Sequence, residues 1–150
     1  MVGISLTDFS KQIHQLMPDV LKGFVRLQSN EICKGQVTLP QLFVLESLDK
    51  EGPEKMTALA LAMRVTTAAM TGIVQRLVCQ GYALRGYDDK DRRVIIIGLT
   101  PKGSNLLKRI NEQRKQIINR VFSQMSEDDR MDYLRIMTKV NEIIKKEVSK

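Results

Sequence analysis

Residues Thr66 to Gly103 read TTAAMTGIVQRLVCQGYALRGYDDKDRRVIIIGLTPKG, and the change of texture inside this stretch decides the fold. Its first part is helical, because Ile73, Val74, Leu77 and Val78 recur at helical spacing. Thr66 is placed to accept hydrogen bonds from first-turn amides, and Gly81 suits the left-handed residue that ends a helix. The pattern predicts Ala69, Ile73, Leu77 and Val78 facing inward, with Thr67, Met70, Thr71, Gln75 and Arg76 outward. That outward face is rich in donors and acceptors, with Met70 its apolar exception. Tyr82 to Tyr87 and Arg93 to Leu99 then read as strands, since Val94-Ile95-Ile96-Ile97 is short and β-branched. Between them Asp88-Asp89-Lys90-Asp91-Arg92 is a polar tip. A hairpin therefore follows the polar helix directly.

Working outward, Thr38-Leu39-Pro40-Gln41 has the form of a capping box with proline in the first turn. Leu42, Leu45 and Leu48 supply that helix's apolar face, and Gly52-Pro53 stops it. A short helix from about Thr57 to Met63 follows, with Leu59, Ala60 and Met63 as core contacts. At the N-terminal end, Leu6, Phe9, Ile13, Leu16, Val20, Phe24 and Leu27 predict a helix from Leu6 to Cys33. Pro18 predicts a kink or a split near Met17. Downstream, Thr100-Pro101 opens a helix carrying Leu106, Leu107, Ile110, Ile117 and Val121. Ser126-Glu127-Asp128-Asp129 opens another, lined by Leu134, Met137, Val140, Ile144 and Val148.

The element order predicts a mainly α chain with a small β-hairpin: a winged helix-turn-helix flanked by N- and C-terminal dimerisation helices. The expected division is an N-terminal dimerisation helix over 1–35, the DNA-binding module over 36–100 and C-terminal dimerisation helices over 101–150, all in one integrated domain, 1–150. The outer helices have apolar faces with little of their own to cover, so a second copy is the expected partner.

The chain carries 24 Lys+Arg against 17 Asp+Glu, a formal +7. Nine basic and three acidic residues between Arg64 and Arg109 place a net +6 on the proposed module, as phosphate neutralisation requires. Only one histidine is present, His14, and no glycine-rich phosphate loop or Gly-x-Ser-x-Gly appears, so nothing nominates an enzyme, a cofactor or a metal site. His14 lies near the apolar face of the first helix, where it either lines a pocket or is structural. Cys33 and Cys79 lack CxxC spacing and read as buried, reduced thiols. With no signal peptide and no apolar run of bilayer length, the expectation is a cytoplasmic protein with no membrane partner.

The stretch from Thr66 to Gly103 resembles the multiple antibiotic resistance regulator (MarR) family of winged-helix repressors. The likeness rests on Leu77 to Gly81, on Asp89-Lys90-Asp91-Arg92-Arg93, and on Leu99-Thr100-Pro101-Lys102-Gly103, with Thr38 to Leu45 similar to the family's second helix. The resemblance implies a symmetric homodimer that reads a pseudo-palindromic double-stranded operator, half-sites roughly 10 bp apart. It implies a sequence-specific repressor released by a small-molecule effector whose site the sequence does not locate. Thr66, Thr67, Met70, Thr71, Gln75 and Arg76 are the expected DNA-contacting residues of the helix. Arg92 or Arg93, depending on strand register, is expected to enter the minor groove, with Asp91 supporting the wing through an ion pair. The alternative is a winged helix that binds protein or RNA without operator specificity.

Overall fold

The structure is a computed structural model that describes residues 3–27 and 36–148. The elements run α1 (Leu6–Leu27), α2 (Leu39–Glu51), β1 (Glu54–Lys55), α3 (Met56–Ala62), α4 (Thr67–Cys79), β2 (Ala83–Tyr87), β3 (Ile95–Leu99), α5 (Pro101–Phe122) and α6 (Glu127–Val148). They divide into two compact units, a first reaching Gln113 and a second from Arg114.

In the first unit α2 begins as its sequence dictates. The Thr38 amide donates to Gln41 Oε1 at 2.8 Å, and Thr38 Oγ1 accepts from the Gln41 amide at 3.5 Å. Leu42, Leu45 and Leu48 are buried together with Val44. Gly52 ends the helix at φ 84°, and the chain then extends into β1, where Glu54 accepts from Ser47 Oγ at 2.6 Å. β1 pairs antiparallel with β3 (Glu54↔Ile97, Lys55↔Ile96), so the sheet has three strands in the order β1-β3-β2 rather than the two of a bare hairpin. A two-residue strand has no periodicity of its own to betray it.

The core gathers Leu42, Leu45 and Leu48 of α2, Leu59 and Ala60 of α3, Met70, Val74 and Leu77 of α4, and Ile97 of β3. Leu106, Leu107 and Ile110 complete it, so the opening turns of α5 belong to the same core. α1 is one helix through Pro18 and is not split there. The ring costs a single backbone donor, and the apolar spacing on either side of it holds one helical phase. The expected end of α1 near Cys33 lies outside the described residues.

In the second unit Ser126 caps α6. Its Oγ accepts from the Asp129 amide at 3.1 Å and donates to the Asp129 carboxylate at 2.6 Å. The Arg130 guanidinium donates to the Phe122 and Met125 carbonyls at 3.4 and 3.1 Å, and the Phe122 and Tyr133 rings lie 5.0 Å apart. Among the described residues no single helix is long and apolar enough to cross a membrane.

Candidate nucleic-acid interface

α4 starts at the Thr66 cap, whose Oγ1 accepts from the Ala69 amide at 3.1 Å. Its buried stripe is Met70, Val74 and Leu77, three residues at steps of four and three. This corrects the expected outward place of Met70, which is 0% exposed and sits in the core. Ala69, expected inward, is exposed instead. The steps from Met70 to Val74 to Leu77 define a face rotated away from Ala69, and Met70 takes the buried place over Ala69 because its larger side chain removes more apolar area from water. Met70 therefore leaves the set of exposed side chains.

Thr66, Thr67, Thr71, Gln75 and Arg76 are all exposed, and Ala68 and Gly72 share their surface. Thr71 Oγ1 donates to the Thr67 carbonyl at 2.8 Å, and Gln75 Nε2 donates to Cys79 Sγ at 3.3 Å. Cys79 is exposed, contrary to the expectation of a buried thiol, while Cys33 lies outside the described residues. Ala68 and Gly72 carry no polar signal in the sequence; what places them here is the helical phase set by Met70. Beside α4, a cleft of about 340 Å³ is lined by Thr38, Pro40 and Gln41 of α2's start and by Ala69, Gly72, Ile73 and Arg76.

The far end of α4 is fastened to α5 by the Leu99-Thr100-Pro101-Lys102-Gly103 motif. Gly81 takes φ 76°, and its carbonyl accepts from Thr100 Oγ1 at 2.7 Å. The same Thr100 oxygen accepts from the Gly103 amide at 3.0 Å, so one hydroxyl caps α5 and holds the turn after α4. Lys102 Nζ donates to the Gln80 carbonyl at 2.7 Å and lies 5.0 Å from the Tyr82 ring centroid. A cation there also meets the negative end of the α4 dipole. Gly103 packs so closely that a Cβ would stand 2.2 Å from the Tyr82 carbonyl oxygen.

The β2–β3 hairpin pairs Ala83↔Leu99 through Tyr87↔Ile95. At its tip Asp88 Oδ1 accepts from the amides of Lys90 and Asp91 at 2.9 and 3.1 Å, and the Asp88 amide donates to the Val94 carbonyl at 3.0 Å. Asp91 takes a two-pronged ion pair from Arg93 (Nε to Oδ1 3.1 Å, Nη2 to Oδ2 3.2 Å) and also the Arg93 amide at 3.0 Å. These hydrogen bonds from Arg93, with a smaller pull from Lys55, hold the Asp91 carboxyl below its ordinary range. The pair is therefore complete above the usual carboxylate range and comes apart as pH falls through the depressed value. Arg92 is exposed and makes no ion pair among the described residues.

His14 lies on α1 along an open apolar groove with Phe9, Ile13, Met17 and Leu21. Among the described residues no group of three or more His, Cys, Asp or Glu is arranged to hold a metal ion.

Comparison with known proteins places this arrangement. A sequence model of the MarR family matches residues 37–95. The chain is 33% identical over 137 residues to the HTH-type transcriptional repressor MdtR of Bacillus subtilis (strain 168), covering 87% of this chain and 88% of that protein. The crystal structure of YusO from Bacillus subtilis superposes with a TM-score of 0.78 at 29% identity, over 93% of this chain and 99% of that one. A mutant MarR from E. coli complexed with operator DNA shares the fold with a TM-score of 0.65 at 20% identity, over 91% and 99% of the two chains. With its polar helix, its hairpin and the capped turn between α4 and α5, the chain belongs to the MarR family of winged helix-turn-helix transcriptional regulators.

Proposed function

We propose that the chain is a homodimeric repressor that lays α4 in the major groove of a pseudo-palindromic operator and its hairpin on the adjacent backbone or minor groove. The observation that carries this reading is the exposed polar face of α4 (Thr67, Thr71, Gln75, Arg76) with its far end locked by Thr100 and Lys102. A reading helix must be rigidly aimed, because misplacement by about 1 Å forfeits hydrogen bonds to base edges. Gln75 suits adenine and Arg76 guanine, while Thr66, Thr67 and Thr71 suit phosphate or base edges. The E. coli relative complexed with operator DNA supports duplex DNA as the ligand over RNA or protein.

Within this reading residues 36–100 form the DNA-binding module and residues 1–35 and 101–150 the dimerisation helices. Two apolar faces support the second copy. α1 exposes Phe9, Leu16, Met17 and Val20, and α6 exposes Leu134, Met137, Val140 and Ile144. Faces of that kind are covered by association in a stable protein. A small-molecule effector would release the DNA by preferring the state in which the two α4 helices no longer match successive grooves. Such a regulator works in the cytoplasm, and no catalytic step is assigned to it.

At the hairpin tip Arg92 is the groove-entering side chain, and Asp91 with Arg93 shapes the loop that presents it. Arg92→Ala is expected to weaken operator binding about tenfold and make the slope of log affinity against log salt shallower by about one. Titrations by fluorescence anisotropy at several salt concentrations read both quantities. Wild-type affinity and slope in the variant would remove Arg92 from the interface.

A further inference from the structure

The end of α4 carries a side chain that reaches 44 positions back along the chain. Gln80 Nε2 donates to the Gln36 carbonyl at 2.8 Å, in a partly buried place. Gln36 lies in the connection between α1 and α2, directly before Val37, which is buried in the core, and Thr38, which caps α2. The backbone of Gln80 is held as well. Its amide donates to the Arg76 carbonyl at 3.0 Å, and its carbonyl accepts from Lys102 Nζ at 2.7 Å. One residue thus ties α4 both to the chain entering α2 and to α5. Stability alone does not ask for an amide here. Gln80 Oε1 is screened from solvent and accepts from no donor among the described residues, a cost that an apolar side chain would avoid.

The shape of α4 gives the amide its use. Met70, Val74 and Leu77 seat the helix on the core, but apolar burial has no preferred direction and tolerates a small tilt. Hydrogen bonds are directional and do not. Thr71 lies nine residues from Gln80. That is roughly 13 Å along the axis at about 1.5 Å per residue, so a tilt of about 5° moves Thr71 by about 1 Å. Thr38 and Arg76 line the same cleft, and the bond that joins Gln36 to Gln80 spans the same two segments. We propose that Gln80 is a positioning residue: its amide sets the angle of α4 against the chain entering α2, and so the fit of Thr71, Gln75 and Arg76 to base edges. This rests on the reading of α4 as the DNA-binding helix and adds to it the side chain that aims the helix from its far end.

Gln80→Met in the full chain keeps the reach and bulk of the side chain and removes the donor, whereas Gln80→Lys keeps a donor for the Gln36 carbonyl. Fluorescence anisotropy, well below the melting temperature, gives affinities for a duplex enriched by the wild type from a random pool and for an unrelated duplex of equal length. Their ratio measures aim, since non-specific binding comes almost wholly from phosphate charge. In Gln80→Met the ratio is expected to fall about tenfold, the discrimination carried by about one base-edge contact, with non-specific affinity unchanged. In Gln80→Lys the added charge raises both affinities, and the ratio stays near that of wild type. A residue that only holds the fold together would lower the melting temperature and the DNA-competent fraction and leave the ratio alone. A wild-type ratio in Gln80→Met, unfolding of that variant under the assay conditions, or an equal fall in Gln80→Lys would overturn the proposal. Failure of the wider DNA reading looks different: wild type itself would then enrich no duplex.

Discussion

Gly103→Ala is expected to destabilise the chain by about 3 kcal/mol and to lower its melting temperature by roughly 6–12 °C, although it adds only a methyl group. The added carbon would meet the Tyr82 carbonyl oxygen at 2.2 Å and Leu99 Cδ1 at 2.8 Å, and the nearer obstacle is backbone. Relief requires α5 to move away from the turn after α4. That motion strains the Thr100 hydroxyl, which holds the Gly81 carbonyl and the Gly103 amide at once. The variant should therefore lose DNA affinity as well as stability, since the far end of α4 is no longer fixed. Thermal unfolding monitored by circular dichroism measures the first effect. Wild-type stability in Gly103→Ala would mean that α4 and α5 are not packed this closely.

Met70→Ala is the second large effect, expected at about 2–5 kcal/mol, the usual cost of emptying a closed methionine site. Met70 is fully buried beside Val74 and Leu77, so its loss opens a cavity under the reading helix. The sequence pattern alone places this side chain outward, where truncation would cost stability little and DNA contacts more. Denaturant unfolding together with binding at low temperature decides between the two places. The buried position predicts a large loss of stability with an unchanged preferred DNA sequence. Unchanged stability with altered sequence preference would put Met70 on the surface.

The difference between pattern and structure lies in how a 13-residue helix is phased. Ala69, Ile73, Leu77 and Val78 and the set Met70, Val74 and Leu77 both recur at helical spacing, and Ile73, Leu77 and Val78 are compatible with either. Only the bulk of methionine against alanine at the start of the helix separates them. Other features were legible because they rest on local chemistry. The capping box at Thr38, the Ser126 and Thr66 caps, the glycine turn at Gly81 and the strands on either side of the polar tip all depend on residues within a few positions of one another. β1 was not legible, since two residues become a strand only through a partner more than forty positions away. The exposure of Cys79 comes from the same phase as Met70.

The hairpin tip divides similarly. Asp91 with a neighbouring arginine suggested an ion pair, but strand register had to choose between Arg92 and Arg93. The structure pairs Arg93 with Asp91, and Arg92 and Arg93 are both exposed; the choice of Arg92 is the proposal that Arg92→Ala tests.

Selection of bound fragments from a random duplex pool is the most direct test of two-fold reading of DNA by α4 and the hairpin. Two-fold reading predicts an enriched inverted repeat with half-sites centred roughly 10 bp apart. A pool that stays sequence-blind, with equal affinity for single-stranded RNA, would contradict it.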